Sequence, residues 1–413
     1  MRFWGITGTN GKTTCTWIFA EFVNACAGRK CGYITTVEAY DGKDRYYTGY
    51  TTPPLKTLHE IYAKMEANGC TDCVMEVSSH AIHQNRTGDT VFSGGAFTNL
   101  SEDHLDYHKT MEEYFRVKAS FAEKIASQHP TRPDMGRRDL PPYVVCMDGE
   151  YGERMFNTVG NFSVNVIRVS REKVEKRGGG GQRNYDLSEL KLVGAYNESN
   201  VLTSAALAEA AGVPREIIQA TIPKLVPRWG RLEEVKLEKK VGVGEGGPRV
   251  FVDFAHTPDG LEKVLTAVRG MMTAQAARPE SAPYHGELWV VFGAGGDRDP
   301  MKRPLMGAAC AKLADRLVVT SDNPRSEEPM AIIDAILKGV DEVKSKGEKG
   351  KSADDASFLF VEPDRKKAIE YALRNAKEGD VVVIAGKGHE TTQEIKGVKY
   401  PFDDREMVRD FVL

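Results

Sequence analysis

Near the start of the chain, Gly8-Thr9-Asn10-Gly11-Lys12-Thr13-Thr14 has the residue types and spacing of a phosphate cradle. Glycines let the backbone approach an anion, and free N–H groups at a following helix N-terminus attract it. Lys12 then reaches the outer phosphates and the Thr13 hydroxyl reaches Mg²⁺. The strict pattern wants glycine at position 6, where Ile6 stands, so a purely structural turn is the competing reading. A second candidate is Glu76, in Met75-Glu76-Val77-Ser78-Ser79-His80 at the end of an apolar run. Ligands of open α/β sheets bind off the carboxyl ends of strands, which places Glu76 to share Mg²⁺ with Thr13. Its plainer role would be a helix cap. Next, Glu102, Asp103, His104, Asp106 and His108 crowd one short loop, dense enough for a metal or phosphate site. Lys118 follows among Tyr114, Phe115, Phe121 and Ala122, with no carboxylate at helical spacing. It is either a snorkelling stem or a lysine whose charge is removed by chemistry.

These residues need rigid elements to hold them, and the pattern alternates strand and helix almost throughout. That implies parallel sheets flanked by helices. In the first half, strands are expected at 3–6, 32–35, 73–77, 95–98 and 143–147. A helix-like segment covers 15–23, and Thr52-Pro53-Pro54 reads as a cap opening a helix through Ala67. Thr110 and Glu113 form a capping box for the helix that carries Lys118. In the second half, strands at 250–254, 288–292, 316–320, 357–360 and 380–385 make a separate doubly wound unit. The count restarts near Pro227-Arg228-Trp229, giving domains 1–227 and 228–413. The fold class is α/β: a central P-loop ATPase domain with a mainly parallel sheet, plus a C-terminal Rossmann-like doubly wound domain. Residues 127–142, 171–186 (with four consecutive glycines), 274–286 and 344–355 read as solvent loops.

The bulk properties exclude other classes. At 413 residues the chain suits two or three domains, and its net charge of −3 gives no reason to expect nucleic acid or an anionic membrane as partner. No apolar run approaches the ~20 residues that span a bilayer. Seven scattered cysteines suit reduced thiols, so a cytoplasmic location is expected. Cys70 and Cys73 form a C-x-x-C without a second pair. They read as packing beside a strand, with a redox or metal role as the alternative.

Taken in order, the motifs resemble the Mur ligases, ATP-dependent amide-bond ligases of cell-wall peptide synthesis, and within them the MurE-like branch. The matching pieces are Thr7–Thr14, Thr51-Thr52-Pro53, Glu76–His80 with Gln84 and Arg86, and Asn99–His108 with Lys118. Further on they are Asn197 with Asn200, Gly230–Glu233, Asp253–Pro258, Gly295–Pro304, Asp322-Asn323-Pro324-Arg325 and Gly386–Glu390. The resemblance implies that a substrate carboxylate takes the γ-phosphate of ATP and an amine then displaces phosphate. It implies cofactors ATP and Mg²⁺, with Gly8, Thr9, Asn10, Gly11, Lys12, Thr13 and Thr14 around the phosphates. Thr13 and Glu76 would hold one Mg²⁺. His104 and a carbamylated Lys118 would serve a second. Asn197, Asn200, Arg231 and Asp253 would complete the nucleotide site. The residues themselves leave Arg231 open as a surface ion pair and Asp253 as a strand-end cap.

The same resemblance implies two small-molecule substrates. Meso-diaminopimelate has a second amino-acid head, whose carboxylate suits Arg325 and whose ammonium suits Glu390. Arg298 and Asn323 would share that carboxylate, Asp322 belongs to the same substrate-binding motif, and Gly386 leaves room for the backbone to approach. Thr51, Thr52, Ser78, Gln84 and Arg86 would hold a muramoyl-peptide precursor, although the residues themselves leave each open as a cap or surface residue. Family members carry about a hundred residues before the phosphate loop, a common domain size. In this chain the loop begins at Gly8. The acceptor's uridine end therefore falls to a separate uridine-binding partner, to a substrate recognised without it, or to a domain lost from the sequence. The enzyme is expected to be a monomer. Competing functions are the same ligation on a folate-like or archaeal cell-wall acceptor, a nucleotide-dependent switch, and an inactive scaffold.

Overall fold

A computed structural model describes residues 1–129, 131, 136, 139–171, 174–176, 185–237, 247–276, 286–347 and 358–411. Parts of all four expected solvent loops lie outside the described residues. Among the described residues the chain forms two compact units, Met1–Val226 and Pro227–Leu413.

The first unit is built on a nine-stranded sheet. Its strands are β1 (Arg2–Thr7), β2 (Cys31–Ile34), β3 (Ala39–Tyr40), β4 (Arg45–Tyr46), β5 (Asp72–Glu76), β6 (Phe92–Phe97), β7 (Pro142–Cys146), β8 (Asn165–Val169) and β9 (Val174–Lys176). Their order across the sheet is β4-β3-β2-β5-β1-β6-β7-β8-β9. The strands from β2 to β8 pair in parallel, while β3, β4 and β9 add antiparallel edges. The helices are α1 (Lys12–Asn24), α2 (Leu55–Ala67), α3 (Ser79–His83), α4 (Leu105–His108), α5 (Met111–Ser127), α6 (Gly152–Val159), α7 (Ala195–Ala210) and α8 (Arg215–Thr221). Parallel strands covered on both faces are continuously apolar, which is why β1, β2 and β5 were legible.

Central β1 and β6 carry Gly5 and Gly95, and a Cβ on Gly5 would overlap the Phe121 ring of α5. The missing side chains thus admit Phe121 against the sheet. One turn before it, Lys118 lands under the phosphate loop.

The second unit has a six-stranded sheet of β10 (Glu233–Val235), β11 (Arg249–Asp253), β12 (Leu288–Phe292), β13 (Arg316–Val319), β14 (Leu359–Val361) and β15 (Val381–Ala385). Its order is β10-β11-β15-β12-β13-β14, parallel except at β10. A separate hairpin pairs β16 (Thr392–Ile395) with β17 (Val398–Pro401). Its helices are α9 (Pro258–Ala276), α10 (Lys302–Leu313), α11 (Pro329–Ser345), α12 (Arg365–Asn375) and α13 (Asp404–Arg409). The fold class is as expected, an α/β chain with two mainly parallel sheets.

Several local expectations are corrected. Helix α2 starts at Leu55 with Pro54 at the cap position and no side-chain cap bond. The Thr52 hydroxyl instead donates to the carbonyl of Glu76 at 2.8 Å. Only half of the Thr110 capping box forms. Thr110 Oγ1 accepts from Glu113 N at 3.1 Å, while the Thr110 N–H goes to the His108 carbonyl. Strand β9 falls inside the segment read as loop 171–186, and α9 and α11 extend into two others.

Candidate active site

In the first unit the phosphate loop leaves the carboxyl end of β1. A Cβ on Gly8 would overlap the Thr98 hydroxyl and one on Gly11 the amide of Asn200, so both positions need glycine. Gly11 also has φ 83° and caps α1 without a side-chain bond, leaving first-turn N–H groups directed outward. Asn10 N donates to Asn99 Oδ1 at 3.0 Å, and Thr9 N to the Asn99 carbonyl at 2.8 Å, which fixes the loop to the end of β6. Lys12 Nζ folds onto its own loop, donating to the carbonyls of Gly8 (3.1 Å) and Thr9 (2.7 Å). Thr14 sits on the first turn of α1. Asn197 and Asn200 come from α7, with Asn200 Nδ2 donating to Asn197 Oδ1 at 3.3 Å beside Gly11.

Thr13 Oγ1 donates to Glu76 Oε1 at 2.8 Å, bringing together the two residues assigned to one Mg²⁺. The sequence reading missed Thr36. Its N–H donates to the same Glu76 oxygen at 2.8 Å and its hydroxyl to the Thr51 hydroxyl at 2.9 Å. Its signal was position, just past the carboxyl end of β2. The thiols of Cys70 and Cys73 are buried and free, with burial pushing both up, which fits packing.

Lys118 is buried, at 1% exposure, and its Nζ donates to the Gly8 carbonyl at 2.7 Å. It is no snorkelling stem. Burial, then the Lys12 cation, holds its amine well below the usual lysine range, against the pull of Asp103. His104 caps α4 in a left-handed conformation, φ 56°, with Nε2 3.5 Å from Asp103 Oδ2. Partial desolvation and the Lys12 cation favour its neutral imidazole over the opposing Asp103, although 45% of the side chain still meets solvent. His108 is buried and stacks on Tyr114 at 5.0 Å.

The acceptor candidates cluster beside Glu76. Ser78 N donates to Thr52 Oγ1 at 3.1 Å, and Arg86 donates to the Thr52 carbonyl (3.3 Å) and to Gln84 Oε1 (2.8 Å). Gln84 Nε2 in turn meets Tyr107 OH, from the Asn99–His108 stretch, at 3.2 Å.

In the second unit Asp253 ends β11. Its carboxylate accepts the N–H groups of Leu232 (2.6 Å) and Ala255 (2.7 Å), the geometry of a strand-end cap. Burial pushes its carboxyl up to about 6, opposed by Arg231 and these two donors. Arg231 lies 4.5 Å from the centre of the Phe254 ring.

The loop after β13 and the turn after β15 form a second cluster. A Cβ on Gly386, at φ 116°, would overlap Asp322 Oδ2. Asn323 Nδ2 donates to Glu390 Oε2 at 2.8 Å. Arg325 adopts φ 51° because β16 clamps it: Arg325 N donates to the Glu394 carbonyl (3.0 Å) and Lys396 N to the Arg325 carbonyl (2.6 Å). Its Nη1 donates to the Gly296 carbonyl at 2.5 Å, beside Gly295, which also neighbours the exposed Arg298. Underneath, Arg365 pairs with Asp404 (2.8 and 2.7 Å), both fully buried. It also donates to the carbonyls of Ser321 and Ala385.

The sequence matches the Mur ligase middle domain over residues 6–208 and the Mur ligase glutamate ligase domain over residues 230–388. A UDP-N-acetylmuramoyl-L-alanyl-D-glutamate--2,6-diaminopimelate ligase of Aquifex aeolicus is 37% identical, across 99% of this chain and 77% of that protein. The chain belongs to the Mur ligase family. Membership makes it an ATP-dependent amino-acid ligase. A solved structure of a ligase with the same name aligns at 29% identity and TM-score 0.57, covering 99% of this chain and 77% of that one. E. coli FolC, in complex with DHPP and ADP, aligns at TM-score 0.62 and 18% identity over 94% of this chain and 86% of its own, a likeness of fold alone. No helix among the described residues is long and apolar enough to cross a membrane.

Proposed function

We propose that this Mur ligase joins meso-diaminopimelate to the D-glutamyl carboxylate of UDP-N-acetylmuramoyl-L-alanyl-D-glutamate, in the cytoplasm, converting ATP to ADP and phosphate. The acceptor carboxylate oxygen attacks the γ-phosphorus, ADP leaves, and an acyl phosphate forms. The amine then attacks the acyl carbon, a proton is lost, and phosphate departs with the carboxylate oxygen. Charge neutralisation and positioning carry most of such catalysis.

Lys12 swings from its loop carbonyls to the outer phosphates, while first-turn N–H groups of α1 hold the others. Thr13 and Glu76 offer the hard oxygens that Mg²⁺ prefers, and they would hold it to neutralise phosphate charge. Among the described residues no group of three or more His, Cys, Asp or Glu side chains forms a ready metal cage. Mg²⁺ usually keeps several waters and takes substrate phosphate oxygens as ligands. Imidazole is a softer partner, so the His104 role rests on the family pattern. The Lys118 amine, which burial pushes toward its uncharged form, is a nucleophile for CO₂: the N–C bond forms, a proton leaves, and a carbamate anion results. Thr51, Thr52, Ser78, Gln84 and Arg86 hold the acceptor, with Arg86 facing its carboxylate. Asn197 and Asn200, in domain 1–227, and Arg231 and Asp253, in domain 228–413, are taken as nucleotide-contacting positions of their respective domains.

The observation that carries the substrate choice is the cluster of Asp322, Asn323, Arg325, Gly386 and Glu390 at two strand ends. A cation and a carboxylate there suit a zwitterionic head. Lysine has no second carboxylate to offer Arg325, a rejection of several kcal/mol, up to about 10⁴-fold, in a polar site. The test is ADP release by the purified protein with UDP-N-acetylmuramoyl-L-alanyl-D-glutamate and either amine. Release with diaminopimelate and not lysine supports the reading. Equal release with both refutes the amine assignment, and release with a different acceptor only refutes the acceptor.

A further inference from the structure

Lys387 lies between Gly386 and Gly388, whose φ values of 116° and 52° turn the backbone so that its side chain points inward, to 0% exposure. Its Nζ donates to Asn323 Oδ1 (3.2 Å), Glu390 Oε2 (3.1 Å) and the Thr392 carbonyl (2.7 Å). An ammonium has three donors, so this one is fully used and cannot itself reach a substrate.

The consequence falls on its neighbours. A lysine only donates, so the contact fixes the Asn323 amide with its oxygen toward Lys387. The N–H of Glu394 supports the same orientation, donating to Asn323 Oδ1 at 2.9 Å. The Asn323 NH₂ is thereby aimed at Glu390, and one of its two hydrogens remains for another acceptor. Glu390 Oε2 receives both Lys387 and Asn323, which leaves Oε1 of this one-third-exposed side chain for an incoming cation.

We infer that Lys387 is a positioning residue for the amino-acid substrate, setting the donor face of Asn323 and the open oxygen of Glu390 that read its zwitterionic head. The inference rests on the diaminopimelate reading above. It makes the buried lysine part of substrate recognition without any contact to the substrate.

A double-mutant cycle tests it, using ATP, the acceptor and diaminopimelate with Lys387→Met, Glu390→Gln and the pair. Groups that act through one another give non-additive effects. Each single change should raise the KM for diaminopimelate about tenfold or more and leave the KM for ATP within about twofold, and the pair should match the larger single effect. The inference is overturned by an unmoved diaminopimelate KM in Lys387→Met, by single effects that multiply in the pair, or by a parallel rise in the KM for ATP. Should Lys387→Met fail to fold, Lys387→Gln enters the cycle under the same criteria. Wild-type protein that does not turn over diaminopimelate overturns the substrate reading and this inference together. Wild-type turnover with an unmoved variant overturns the inference alone.

Discussion

At the scale of single residues, Glu76 joins Thr13 and Thr36 at one carboxylate oxygen, and Lys118 sits beneath the phosphate loop at the Gly8 carbonyl. Thr13 was legible from the glycine-rich loop that precedes it, Glu76 from its place at a strand end, and Lys118 from the aromatics around it. That Lys118 would lie under the Gly8 carbonyl was hidden, since the contact joins residues 110 positions apart. Thr36 was hidden for the same reason, lying 40 positions from Glu76. Arg325 yields the sharpest substitution. Arg325→Ala should abolish the preference for diaminopimelate over lysine, read as the ratio of kcat/KM values, and an unchanged ratio would refute its role. His108 gives a pH prediction. Burial, then the neighbouring His80, pushes its imidazole down from 6.5 to about 4, so the unfolded chain binds the proton more readily. Its contribution to stability is therefore full above pH 6.5 and is lost as pH falls from 6.5 toward about 4. His108→Phe should flatten that acid limb in urea unfolding measured from pH 7 to about 4. A limb of unchanged slope would contradict the burial argument.

Elements were legible in proportion to their apolar continuity. The parallel strands β1, β2, β5, β12 and β15 are wholly or mostly buried, and each carries an apolar run, from three residues in β5 to five in β12 and β15. Strand β8 interrupts its run with Arg168, and β17 is exposed along its whole length, so neither carried that signal. The β16–β17 hairpin still had a turn signal in Lys396-Gly397, whose φ values of 51° and 78° suit a tight two-residue hairpin loop. Missing it mattered, because β16 holds Arg325 in its left-handed conformation. Helix α5 is placed by an absence of side chains. Gly5→Ala should push Phe121 off the sheet, costing about 1–3 kcal/mol of unfolding free energy. Activity should fall with it as Lys118 shifts. A variant of unaltered stability and rate would show that the glycine is not what seats this helix.

At the scale of the whole molecule, the phosphate loop makes the first unit the place where nucleotide linkage is read. A ligand at 100 times its Kd stabilises the state it binds by about 2.7 kcal/mol. Mg²⁺-ATP should therefore raise the unfolding temperature of the unit that carries Lys12 and Thr13 in calorimetry, and Lys12→Ala should reduce that shift. An unmoved wild-type transition would contradict the nucleotide reading of the loop. The ligation chemistry itself is tested most directly by following one oxygen atom. With the acceptor's D-glutamyl carboxylate labelled with ¹⁸O, phosphate released during diaminopimelate addition should carry one labelled oxygen, detected by mass spectrometry. Unlabelled phosphate would contradict an acyl phosphate and, with it, the catalytic roles of Lys12, Glu76 and Lys118.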